Sequence, residues 1–113
     1  MAYEPKAYEP VNMAGLIAPA TSVTIDYRGS SNDVYILTEI IVANSAATPE
    51  QITIGWTNND VDIHLFDEVT LPAHGTANLN CYIPLKASNQ LKCFASNSGV
   101  MHVTINGLKV VTV

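Results

Sequence analysis

The residues best equipped for chemistry lie between Asn58 and Glu68. Asp60, Asp62 and His64 alternate there, so in an extended strand they project from one face, and two carboxylates beside an imidazole form a donor set able to hold a cation. The surrounding sequence argues against it. A calcium loop needs a glycine at its sharp turn and a bidentate Glu at its end, and neither stands at the required offset. A zinc site usually draws on Cys or a second His, which this stretch lacks. A solvated strand face and turn accounts for the cluster, and no metal or other cofactor is expected.

Nucleophilic catalysis also lacks its parts. The serines lie in turns without a G-x-S-x-G elbow, and His64, His74 and His102 fall in three separate contexts. No glycine-rich phosphate loop is present. The expectation is a protein that is not an enzyme. The net charge of −5, with basic residues scattered at Lys6, Arg28, Lys86, Lys92 and Lys109, offers no basic stripe for nucleic acid. No run of about 18 apolar residues exists to cross a bilayer as a helix. The N-terminal MAYEPKAYEP lacks the pattern of a signal peptide, which points to a protein made and retained in a cytoplasm. Cys81 and Cys93 sit in apolar contexts and are expected as reduced core thiols.

The elements that would carry any site are strands. Charged residues are 13% and hydrophobics 48% of the 113 residues, with Thr, Val, Ile and Asn abundant, a composition suited to pleated, half-buried surfaces. From Ser22 onward the apolar period is two. It predicts strands at Ser22–Tyr27, Val34–Asn44, Gln51–Thr57, Ile63–Val69, Thr76–Ile83, Leu91–Ser96 and Met101–Val113. The breaks between them are rich in Gly, Pro, Asn, Asp and Ser. The expected fold is all-β: an antiparallel two-sheet β-sandwich of about seven strands, jelly-roll or immunoglobulin-like, over residues 22–113. Its expected core includes Ile40, Val42, Ile54, Leu79, Leu91, Val103 and Ile105.

Residues 1–21 read differently. Pro5 and Pro10 close a repeated AYEP and Pro19 follows, which predicts an extended arm, polyproline-like or irregular. Tyr3 and Tyr8 recur five residues apart, either to pack back on the body or to dock on a neighbouring subunit.

Two strands lack a wet face. In Val34–Asn44 one side reads Val34, Ile36, Thr38, Ile40, Val42 and the other Tyr35, Leu37, Glu39, Ile41, Ala43. After Gly107, Leu108, Val110, Val111 and Val113 populate both sides of the last strand. Either a bulge at Gly107 shifts the phase, or the surplus face is an interface. The interface reading names Tyr3, Tyr8, Tyr35, Leu37, Glu39, Ile41, Leu108 and Val110, in a homo-oligomer that is a dimer or trimer.

The series TEIIVANSA (Thr38–Ala46), DEVTLPAHGTANL (Asp67–Leu79), IPLKASNQLKCFAS (Ile83–Ser96) and VMHVTINGLKVV (Val100–Val111) resembles the small β-sandwich virion proteins of tailed bacteriophages. The resemblance covers about residues 20–113 and is carried by turns. This chain departs from the family's pattern at Ala87–Gln90 and at Asn106–Lys109. What it implies is a structural part of a phage particle: first a capsid decoration or cement protein bound to the major capsid protein on the virion surface and assembled in the host cytoplasm, otherwise a neck or tail adaptor. A carbohydrate- or receptor-binding module is the alternative from another class, with Trp56, Tyr27, Tyr35 and Tyr82 as stacking platforms.

Overall fold

The computed structural model describes residues 6–25, 34–58, 61–85 and 89–112. They form eight strands: β1 (Lys6–Ile17), β2 (Val23–Ile25), β3 (Val34–Asn44), β4 (Glu50–Asn58), β5 (Val61–Leu71), β6 (Thr76–Leu85), β7 (Gln90–Ala95) and β8 (Met101–Thr112). Period-two patterning locates seven of them, and β3 agrees at both ends. The strands pair as one long hairpin, first with last, second with seventh, third with sixth and fourth with fifth, all antiparallel. Rolling that hairpin brings β3 beside β8 and β4 beside β7. The result is two four-stranded sheets, sheet A in the order β1-β8-β3-β6 and sheet B in the order β2-β7-β4-β5. This is a jelly roll, the first of the two expected sandwich types.

The eighth strand, β1, is a correction. Residues 6–17 are not irregular or polyproline-like but pair with β8 from Lys6↔Thr112 to Ile17↔His102. Proline is tolerated because β1 is an edge strand, where a missing ladder donor can face solvent. Pro84 uses the same allowance on the opposite edge, in β6.

Between the sheets, Leu37, Ile40, Val42, Met101, Val103 and Ile105 of sheet A meet Ile52, Ile54, Leu71, Leu91 and Cys93 of sheet B, all at 2% exposure or less. Each such aliphatic side chain contributes about 1.5–3 kcal/mol relative to exposure. Of the expected core, Leu79 alone is only partly buried, packed at the margin of the cluster. Cys81 in β6 and Cys93 in β7 are both free thiols, in different sheets. Burial raises both pKa values, that of Cys93 to about 11.

A line of irregularities crosses sheet A. The register slips at Met13 in β1, between Asn12 and Ala14 and opposite Asn106 and Ile105 of β8, and at Thr38 in β3, between Leu37 and Glu39 and opposite Gly107 and Asn106. Against β6, the step from Leu37 to Glu39 faces the step from Ile83 to Asn80. Bulges free backbone groups from the ladder, and side chains bond to the carbonyls here. The Thr38 hydroxyl donates to the Asn106 carbonyl at 3.3 Å, and the Cys81 thiol donates to the Leu37 carbonyl at 3.5 Å. Gly107 is what lets the flanking strands close in. A Cβ there would collide with the Ile36 carbonyl oxygen and with Sδ of Met13.

The loops at the far end are held by Asn44. Its buried Nδ2 donates to the carbonyls of Thr48, Leu71 and Pro72 at 3.0, 3.3 and 3.1 Å, and its Oδ1 accepts from the Ala46 amide at 2.9 Å. The Pro72–Gly75 turn beneath it closes through the Gly75 amide to the Pro72 carbonyl, with His74 in the left-handed region at φ 57°. A side chain at position 75 would strike the Pro72 ring.

Candidate functional site

The bulge at Thr38 decides which side of β3 faces out. Before it, Tyr35 and Leu37 point into the core; after it, Ile40 and Val42 do. An unbroken alternation therefore mixes inside and outside residues. Tyr35 at 8% exposure and Leu37 at 0% cannot form an interface, which corrects their expected role. Val34 and Ile36 take the outer positions instead. The bulge expected at Gly107 is not there: the phase shifts lie in the neighbouring strands, at Met13 of β1 and Thr38 of β3, and an outer apolar face remains.

The outer face of sheet A is built from rows of register partners. One row runs Tyr8, Val110, Val34; the next runs Pro10, Leu108, Ile36, Pro84. Tyr82 lies beyond Pro84 on the same side of β6. All eight residues are apolar or aromatic, and Tyr82 at 65%, Tyr8 at 53% and Val34 at 47% are among the most exposed large hydrophobics of the described residues. Ile36 is buried at 5% and yet is not in the inter-sheet core, since it stands between Leu108 and Pro84 on the outer side. A contiguous apolar face of this kind is uncommon on a surface with no partner.

A polar ladder bounds this face at the bulge line. The Asn12 amide donates to Asn106 Oδ1 at 3.0 Å, the Asn106 amide donates to Glu39 Oε1 at 3.2 Å, and the Asn78 amide donates to Glu39 Oε2 at 3.2 Å. These four side chains tie β1, β8, β3 and β6 together across the sheet. Glu39, half-buried, accepts from two neutral donors and sits at the border of the apolar face.

Of the residues expected at an interface, Tyr8, Leu108 and Val110 share the apolar half, Glu39 lies on its border, and Ile41 lies on the outer face past the ladder, opposite Thr104 and Asn78. Tyr3 falls outside the described residues. The sequence reading missed Pro10, Val34, Ile36, Tyr82 and Pro84, and the asparagines of the ladder. Only the prolines left a signal, because proline inside a strand pattern marks an edge.

The Asp60, Asp62, His64 cluster is not assembled by the described residues. Asp60 and the Asp62 side chain lie outside them. His64 is exposed and holds Asp67 Oδ1 through Nδ1 at 3.2 Å. Among the described residues no three His, Cys, Asp or Glu side chains gather to hold a metal. Of the four stacking platforms, Tyr35 is buried, Trp56 packs half-buried against the core and Tyr27 lies outside the described residues, which leaves Tyr82 exposed on the outer face of sheet A.

No protein-family model matches the sequence, and no curated protein is significantly similar to it. Solved structures share the fold, two of them as follows. One is a chain of the disulfide-linked pili that form Bacillus endospore appendages, with 11% identity, a TM-score of 0.56, and coverage of 96% of this chain and 89% of that one. The other comes from infectious bursal disease virus, Gx strain, with 14% identity and a TM-score of 0.51; the match covers 97% of this chain but 33% of the viral one. At such low identity the likeness concerns the fold alone, and it agrees with an all-β sandwich.

Proposed function

We propose that this chain is a non-enzymatic structural subunit of a large protein assembly, and specifically a decoration protein on the outer surface of a tailed-phage head. The observation that carries the reading is the apolar half of the outer face of sheet A, rimmed by the Asn12, Asn106, Glu39, Asn78 ladder. Two further points support it. The turn pattern of residues 20–113 resembles small virion sandwiches, and the fold recurs in a pilus chain and in a virus structure. Packing this face against a lattice protein removes Tyr82, Tyr8 and Val34 from water, and the ladder fixes the register by requiring polar partners along one border. Tyrosines suit such a contact, since they supply a large area with little rotamer entropy to lose. The partner is the major capsid protein or another protein of the particle surface.

The test is incorporation. Particles are purified from cells producing the phage with the natural chain or with the triple variant Val34→Ser, Tyr82→Ser, Leu108→Ser, and their protein content is measured by mass spectrometry. The natural chain is expected in the particles at a copy number set by the head lattice. The variant, melting within a few degrees of the natural chain, is expected to be depleted at least tenfold. Equal incorporation of a folded variant overturns the proposed face, and a natural chain absent from particles overturns the function.

A further inference from the structure

The outer face of sheet B carries a trough that the reading above does not use. Lys92 of β7 and His64 of β5 both stand opposite Gly55 of β4, so the row has two side chains with a gap between them. The gap is permanent: a Cβ on Gly55 would come within 2.7 Å of the Ile63 carbonyl oxygen. In the adjoining row Phe94, half-exposed, lies opposite Thr53. Ser22 and Thr57 complete the lining with two more hydroxyls. On the far side of Phe94 a second hollow is bordered by Gln51, Glu68 and Ser96.

We propose that this trough binds acidic oligosaccharides, with a sugar ring on either side of Phe94. An aromatic side chain offers a surface to the C–H side of a pyranose, and hydroxyls and an amide on both flanks suit sugar hydroxyls. The charge argues for acidic sugars. Lys92 has no carboxylate within ion-pair distance among the described residues. His64 uses Nδ1 on Asp67, and its Nε2, the acceptor of the neutral ring, is left to accept a hydrogen bond from a sugar hydroxyl. Thr53 accepts from the Glu68 amide at 3.1 Å and keeps its hydroxyl proton to donate. In a chain of net charge −5, the Lys92 ammonium on the Gly55 side of Phe94 is the local partner for a carboxylate or sulfate, while the hollow bordered by Glu68 takes a neutral ring. A purely apolar ligand would strand the lysine and the hydroxyls. The trough lies on the sheet opposite the proposed docking face, so its test is independent of that reading.

Trp56, the only tryptophan, lines the trough and reports on it. The full-length protein is titrated with an oligogalacturonate (carboxylate), a heparin hexasaccharide (sulfate), neutral maltohexaose and inorganic sulfate, following Trp56 fluorescence and calorimetry. Expected is saturable binding of at least one acidic oligosaccharide, at least tenfold tighter than maltohexaose or inorganic sulfate. Which of the two binds tells carboxylate from sulfate recognition. Lys92→Gln and Phe94→Leu, both retaining the melting temperature to within a few degrees, are each expected to weaken binding about tenfold. The proposal is overturned if neither acidic sugar saturates the signal, or if Phe94→Leu binds as the natural chain does, since the attraction would then be charge alone.

Discussion

The two sheets treat their outer faces in opposite ways. Sheet A has long strands, proline on both edges, and irregularities aligned across β1, β8, β3 and β6, so its outer side splits into an apolar half and a remainder divided from it by a polar ladder. Sheet B keeps its register slips in the β4–β5 pair, where Glu68 adopts φ 49° and the ladder slips twice between Ile52 and Gly55. Its outer side carries threonine, lysine and histidine around a glycine gap. An aligned bulge line moves a whole block of side chains from one face to the other, whereas slips confined to an edge pair leave the neighbouring strands in phase. Surface chemistry in this sandwich thus follows from where the extra residues are inserted as much as from which residues are apolar.

The comparison breaks most decisively at β1. If Lys6–Ile17 is an integral strand of sheet A, a chain starting at Thr21 loses Met13, Ala18 and the partly buried Val11, Ala14 and Leu16 from the core. It is expected to show no cooperative thermal transition, whereas a chain starting at Lys6 melts like the full chain. A cooperative transition within a few degrees of full length for the Thr21 chain would mean that residues 1–21 are an arm after all.

A smaller effect tests the phase reversal in β3. Leu37→Ala, inside, is expected to cost about 2–5 kcal/mol in denaturant unfolding. Ile36→Ala, next in sequence but on the outer face, is expected to cost clearly less in solution. Equal losses would place both residues in one core and remove the bulge from the argument.

The smallest effect concerns Cys93 of sheet B. Its thiol is held neutral by burial, with a folded pKa of about 11 against 9.0 in the unfolded chain. Above pH 9 the unfolded state gives up its proton while the folded state keeps it, so stability falls as pH rises from 9 towards 11, by about 1.4 kcal/mol per unit, and is unaffected near neutrality. Urea unfolding at stepped alkaline pH measures this, and a Cys93→Val chain should lack this part of the decline.

Most of the sandwich was legible from period two, because alternation reports burial on one face wherever a strand keeps its phase. Seven strands and six core positions followed from it. What alternation cannot report is an extra residue. Thr38 and Met13 look like any other strand residues, and their insertion is defined only relative to β8, so Tyr35 and Leu37 were placed outside and Ile36 was overlooked. Strand β1 was hidden for another reason: Pro5, Pro10 and Pro19 read as breakers, and the distinction between a broken strand and an edge strand rests on a partner about a hundred residues away. Gly107 did signal a close backbone approach, since no side chain fits there between Met13 and Ile36, but the phase shifts lie in β1 and β3 and not at the glycine itself.

The rolled hairpin also has a consequence for how the chain comes into being. Its tightest pairing, β4 with β5, joins residues a few positions apart and can form early, but the outermost joins Lys6 with Thr112, far apart in sequence. During synthesis β1 leaves the ribosome well before β8, its one ladder partner among the described residues. Such non-local closure makes folding slow for a domain of this size and leaves the apolar edge of β1 open to neighbouring nascent chains in the meantime. Pro10, which interrupts that edge, then acts as a guard against premature pairing as well as a tolerated resident of the finished sheet.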